Sequence, residues 1–115
     1  LADTARLMSR YVDVIMMRTF GHERLEEVAS AASVPVINGL TDASHPCQVM
    51  ADILTFEERI GPVAGRTVTW CGDCCNVTTS WIHAAARFGF AFNIAAPEAL
   101  RPPRPVLDWA ERYGA

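Results

Sequence analysis

The run Ser44-His45-Pro46-Cys47-Gln48 combines residue types and a spacing suited to the capture of a small polar molecule. Pro46 fits the first position of a helix, where its missing N–H costs nothing. The residues around it then form a first turn whose backbone N–H groups lack intrahelical partners. Those donors, with the positive end of the helix dipole, favour an anion or a polarised carbonyl. His45 and Gln48 add side-chain hydrogen bonds at the same spot, so the run reads as a small-molecule site.

Other residues offer chemistry beside a plainer reading. Arg18 alone is a surface or salt-bridging arginine. At the end of a buried strand, its planar fork of donors suits phosphate oxygens. Asn76 alone caps a helix, a role asparagine fills well. Cys71-Gly72-Asp73-Cys74-Cys75 holds a C-x-x-C between a strand and a helix, where a redox dithiol or half a zinc site can lie. No second C-x-x-C and no H-x-x-x-H accompanies it, so packing thiols are the plainer reading. His22 and His83 fall on helical segments and read as surface or structural.

The elements that position these residues alternate. Residues 4–10 read as the end of a helix and residues 12–17 as a buried, β-branched strand ending at Arg18. Helical spacing runs over 22–32 through Leu25, Val28, Ala29 and Ala32. Residues 34–38 form a second strand and 39–44 a loop. The helix from Pro46 to about Arg59 has a wide apolar face of Val49, Met50, Ile53, Leu54 and Ile60, stopped by Gly61-Pro62. The pattern then restarts with a strand at 67–71, a turn at 72–75 and a helix at 76–88 facing Val77, Trp81, Ala84, Ala85 and Phe88 inward. A strand at 90–95, a proline-rich connection at 97–105 and a helix at 106–113 complete it. Such alternation predicts an α/β fold of parallel βαβ units with right-handed crossovers. Ligands in such sheets sit beyond the carboxyl ends of the strands, where Arg18, the His45 loop and residues 73–76 all lie.

Bulk properties set outer bounds. The chain has 115 residues, half of them apolar and a fifth charged, as in an ordinary globular domain. A formal net charge of −3 without any Lys/Arg run speaks against a general nucleic-acid surface. No apolar run reaches the roughly 18 residues of a membrane helix, and no signal peptide is visible. The four cysteines are not dispersed like a secreted disulfide framework, so a reducing cytoplasm is expected. A start at Leu1 rather than Met reads as a piece of a longer protein.

Met16-Met17-Arg18-Thr19-Phe20, Val34-Pro35-Val36-Ile37-Asn38-Gly39-Leu40, His45-Pro46-Cys47-Gln48 and Trp70-Cys71-Gly72-Asp73-Cys74-Cys75-Asn76-Val77 together resemble the aspartate/ornithine carbamoyltransferase family, most closely its ornithine branch. They cover nearly the whole chain, in order and at family-like spacing. The aspartate branch usually has threonine where Cys47 stands.

The resemblance implies two α/β domains joined by interdomain helices. Residues 1–45 are then the latter part of the carbamoyl-phosphate domain, 46–60 an interdomain helix, and 61–115 the beginning of a Rossmann-like ornithine-binding domain. It implies that Arg18, His45, Pro46, Cys47 and Gln48 bind carbamoyl phosphate, with Arg18 and His45 catalytic at its carbonyl oxygen and Gln48 on its NH₂. Asn76 matches the asparagine that holds ornithine by its carboxylate or amino group. The implied products are L-citrulline and phosphate, made in arginine biosynthesis by a cytoplasmic homotrimer with no metal, no cofactor, and no nucleic-acid or membrane partner. The family's Ser-Thr-Arg-Thr loop would precede Leu1, and most ornithine contacts would follow Ala115, so the chain alone is expected to have little or no turnover. One departure is that Cys74 and Cys75 stand where the family commonly has a variable residue and an asparagine. This leaves open an aspartate, putrescine or modified-ornithine acceptor. A cysteine redox or zinc module and a non-catalytic paralogue are the readings from other classes.

Overall fold

The computed structural model describes residues 1–114. Helix α1 (Ala2–Met8) leads into strand β1 (Ile15–Arg18), helix α2 (His22–Ala31) and strand β2 (Val36–Leu40). β1 and β2 pair in parallel across α2, the βαβ unit that the alternation predicts. The first strand is shorter than its apolar run because its partner stops. Ile15 donates to the Pro35 carbonyl at 2.9 Å, and Pro35 has no N–H to extend the ladder. At the other end the second strand outruns the expected residues 34–38, reaching Leu40. Met17 pairs with Asn38 but Arg18 with Leu40, so Gly39 is passed over in a bulge beside Arg18. A Cβ on Gly39 would stand 3.2 Å from the Met17 carbonyl oxygen.

Helix α3 (Pro46–Ile60) starts with Pro46 in its first turn and ends at Gly61, whose φ of +105° suits glycine. It leads to strand β3 (Thr67–Cys71), helix α4 (Asn76–Phe88) and strand β4 (Ala91–Ala95), again a parallel pair across a helix. A single 3-10 turn (Glu98–Leu100) interrupts the proline-rich connection, and helix α5 (Arg104–Tyr113) closes the chain. Pro105 falls in the first turn of α5, where a missing donor is harmless, so this helix begins before residue 106.

Val49, Ile53, Val63, Ala84, Ala85 and Phe90 form one buried cluster, with Trp81 and Phe92 packed against it. Trp81 meets Phe90 edge-on at 5.9 Å and stacks on Phe92 at 6.0 Å. Helix α3 thus buries a narrow stripe, Val49 and Ile53, in the core of the second unit. Its expected wide face is corrected: Met50, Leu54 and Ile60 are exposed, because α4 and β2 are its main packing partners. Phe88 is exposed as well, while Thr78, Thr79, Ser80 and Ile82 are buried on α4. The start of α4 meets the loop before α3, and α5 covers a further side, so polar residues near its beginning lie inside.

Candidate functional site

Both parallel pairs end at loops that carry the polar residues of interest. Past β1 and β2 the backbone pairing continues into the loops. Thr19 donates to the Leu40 carbonyl at 3.0 Å, and Asp42 donates to the Phe20 carbonyl at 2.8 Å. This locks the segment after Arg18 to the segment that leads to His45.

Thr41 is the hub of that second segment and is fully buried, at 0% exposure. Its amide donates to the Ser44 carbonyl at 2.9 Å, and its Oγ1 accepts the Ser44 N–H at 3.3 Å. His22 Nδ1 shares a 2.9 Å hydrogen bond with the same hydroxyl, while Asn76 Nδ2 donates to the Thr41 carbonyl at 2.7 Å. The Asn76 bond joins the two βαβ units. A second bond does the same: the His45 backbone N–H donates to Ser80 Oγ at 2.8 Å.

His45 takes the N-cap position of α3 without capping it through its side chain. Its ring is half-buried, and Nδ1 is enclosed without a hydrogen-bond partner among the described residues. An enclosed, unpaired ring nitrogen is costly unless something completes it. Gln48 is exposed on the first turn and donates from Nε2 to Asp52 Oδ1 at 2.8 Å. Carboxylates only accept, so this contact fixes the amide orientation and leaves Oε1 as an acceptor. Cys47 Sγ lies 3.3 Å from the Asn38 carbonyl oxygen and donates to it, fastening α3 to β2. Pro46 lines a shallow cavity shared with Ser80 and His83.

Arg18 is exposed at the end of β1 and forms no ion pair among the described residues. It lines a cavity of about 420 Å³ with Thr19, Phe20 and Leu40. Asn76 opens α4 as its first residue, with Cys75 at the cap, and its amide reaches across to Thr41 instead of capping the helix. It lines a separate cleft of about 400 Å³ with His22, Asp42, Cys74, Cys75 and His83. Asn76 and the loop leading into His45 are therefore brought together directly. Arg18 joins them through the paired loops, and neither the Arg18 cavity nor the Asn76 cleft is lined by His45 or Gln48.

The cysteines are all free thiols. Burial pushes the Cys74 thiol up, with the charges of Asp73 and Cys75 adding to it, so it stays protonated and weakly nucleophilic. Among the described residues no group of three or more His, Cys, Asp or Glu is arranged to hold a metal ion. His83 packs edge-on against Trp109 at 4.4 Å, and burial together with Arg87 lowers its pKa. No helix among the described residues is long and apolar enough to cross a membrane.

Thr41, His22 and Ser80 form the framework that sequence patterning misses. One signal was present: Thr78-Thr79-Ser80 interrupts a helix otherwise rich in apolar residues, and such side chains compete with helical hydrogen bonding unless given partners.

Comparisons agree with this architecture. The family model described as "Aspartate/ornithine carbamoyltransferase, carbamoyl-P binding domain" matches residues 1–58, and that described as "Aspartate/ornithine carbamoyltransferase, Asp/Orn binding domain" matches residues 64–115. The chain is 57% identical over all 115 residues to an ornithine carbamoyltransferase of Nitrobacter winogradskyi, and spans 37% of that protein's length. It is 58% identical over 115 residues to one from Rhodopseudomonas palustris, again over 37% of the relative. Among solved structures, the ornithine carbamoyltransferase of Pyrococcus furiosus superposes with a TM-score of 0.90 at 46% identity, covering 97% of this chain and 36% of that one. The catalytic subunit of M. jannaschii aspartate transcarbamoylase follows at 0.78 and 26% identity, covering 98% of this chain and 38% of that one. The fold, the order of its motifs and the match to both family models lead to one conclusion: this chain belongs to the aspartate/ornithine carbamoyltransferase family.

Proposed function

We propose that the protein carrying this chain transfers the carbamoyl group of carbamoyl phosphate to the δ-amine of L-ornithine, giving L-citrulline and phosphate. The observation that carries this reading is the 57% identity to an ornithine carbamoyltransferase over all 115 residues. The structure adds a physical rationale for each role.

The neutral δ-amine attacks the carbamoyl carbon, charge gathers on the carbonyl oxygen, and the C–O bond to phosphate breaks as the amine's surplus proton passes to the departing phosphate. Donors preorganised around that oxygen lower the barrier most. His45, at the cap position of α3, and Arg18, with an uncommitted guanidinium, fill that role. Arg18 also reaches the phosphate, and Gln48 Oε1, left free by the Asp52 contact, accepts from the carbamoyl NH₂. Pro46 and Cys47 shape the turn, with Cys47 anchored to Asn38. Asn76 holds the acceptor's carboxylate or amino group at the cleft it lines.

The same reading divides the chain into residues 1–45 of a carbamoyl-phosphate domain, a connecting helix at 46–60 and the start of an ornithine domain at 61–115. The ranges 1–58 and 64–115 matched by the two family models support a boundary near Gly61. It further assigns the protein to arginine biosynthesis in the cytoplasm, as a homotrimer. Purified full-length protein given carbamoyl phosphate should carbamoylate ornithine in preference to aspartate or putrescine. Preference for another acceptor, or no citrulline at all, would overturn the assignment.

A further inference from the structure

Ser80 is 5% exposed, on the second turn of α4, and both hydrogen-bonding capacities of its hydroxyl are used. It donates to the Asn76 carbonyl at 3.2 Å and accepts the His45 backbone N–H at 2.8 Å. One hydroxyl therefore touches the backbone of both residues placed at opposite ends of the reaction, His45 at the donor and Asn76 at the acceptor. A residue that back-bonds within its own helix has little freedom to turn, so its acceptor lone pair points at a fixed place. The His45 N–H precedes the first turn of α3, and no helical carbonyl is available to it. Ser80 supplies the partner from across the junction.

We propose that Ser80 is a positioning residue: its hydroxyl fixes His45 against the turn of α4 that carries Asn76, and so sets the separation between carbamoyl donor and amine acceptor. The proposal rests on the carbamoyl-transfer reading above. The Asn76–Thr41 bond forms a second, independent tie across the same junction, so loss of the Ser80 hydroxyl loosens the register without parting the units. Misplacement on the scale of an ångström is felt in the chemical step more than in binding.

The test is a double-mutant cycle on citrulline formation by the full-length protein, using Ser80→Ala, His45→Ala and both together. Ser80→Ala should lower kcat about 10-fold with KM for carbamoyl phosphate changed less than about 3-fold. In the His45→Ala background the same change should cost less than about 2-fold, because a residue acting through His45 has nothing left to position. Equal losses in both backgrounds, or a KM effect with kcat intact, would overturn the role of Ser80 while leaving carbamoyl transfer in place. A wild-type protein that makes no citrulline would instead remove the functional reading, and the proposal with it. If far-UV circular dichroism shows Ser80→Ala unfolded, Ser80→Cys, which fills the space with a weaker hydrogen-bonding group, decides by the same cycle.

Discussion

Arg18 has charge and reach but no ion-pair partner among the described residues, which leaves its whole fork of donors for a ligand. Lysine would keep the charge and lose the planar pair of hydrogen bonds. Arg18→Lys should therefore raise KM for carbamoyl phosphate about 10-fold or more, by steady-state kinetics, and an unchanged KM would move the phosphate contact elsewhere. His45→Ala should cost on the order of 3 kcal/mol of transition-state stabilisation, about a hundredfold in kcat, by analogy with other lost oxyanion donors. A loss of only a few-fold would remove His45 from the carbonyl oxygen. At this scale the sequence was most informative where the signal is local. A proline one residue after a histidine marks a helix mouth without knowledge of the fold. Thr41 and Ser80 were illegible because each finds a partner 35 positions away in the chain, and nothing in their immediate neighbours announces it.

Among the elements, α4 has the bounds that its flanking signals predict, because Gly89 ends it in the left-handed conformation and Cys75 ahead of it is extended. Its inward face was harder to read. Periodicity marks apolar residues, whereas burial depends on what packs against the helix, and the buried polar run at its start answers to the neighbouring loop. Thr41→Val keeps the shape of the hub and removes the hydroxyl shared by His22 and Ser44. It should cost about 1–3 kcal/mol in chemical denaturation, the usual penalty for stranding buried partners. A change near zero would mean that water replaces the hydroxyl. The contact between α4 and α5 carries a pH dependence of known sign. His83 has a lowered pKa in the folded state, from burial first and Arg87 second, so unfolding takes up a proton in mild acid. Stability should be complete above the ordinary histidine value of about 6.5 and decline as pH falls below it. His83→Phe should flatten that decline in thermal melts, and an unaltered slope would assign it to other groups.

At the scale of the whole molecule, the described residues form two small parallel sheets, each with two strands. Large apolar side chains remain in solvent on the first unit, among them Phe20 at 87% and Met16 at 66% exposure. The chain spans 37% of the relatives it matches, and their remaining length has no counterpart here. Expressed by itself it should give well under about 1% of the full-length turnover, since orientation of both substrates supplies most of such a rate. Near-native citrulline formation by the 115-residue chain would refute this. Family and fold class were readable because the motifs recur in order along the chain. The joining of the two units was not, because it depends on side chains brought together only by folding.

The skipped glycine in the second strand has a practical corollary. Gly39 lies against the carbonyl that precedes Arg18, and even one methyl group there would press on it. Relief would come most easily by nudging the end of the first strand outward, carrying the guanidinium with it. An alanine variant at this position would thus weaken the proposed hold of Arg18 on carbamoyl phosphate well before it changed the melting temperature, and would mimic damage to a residue left intact.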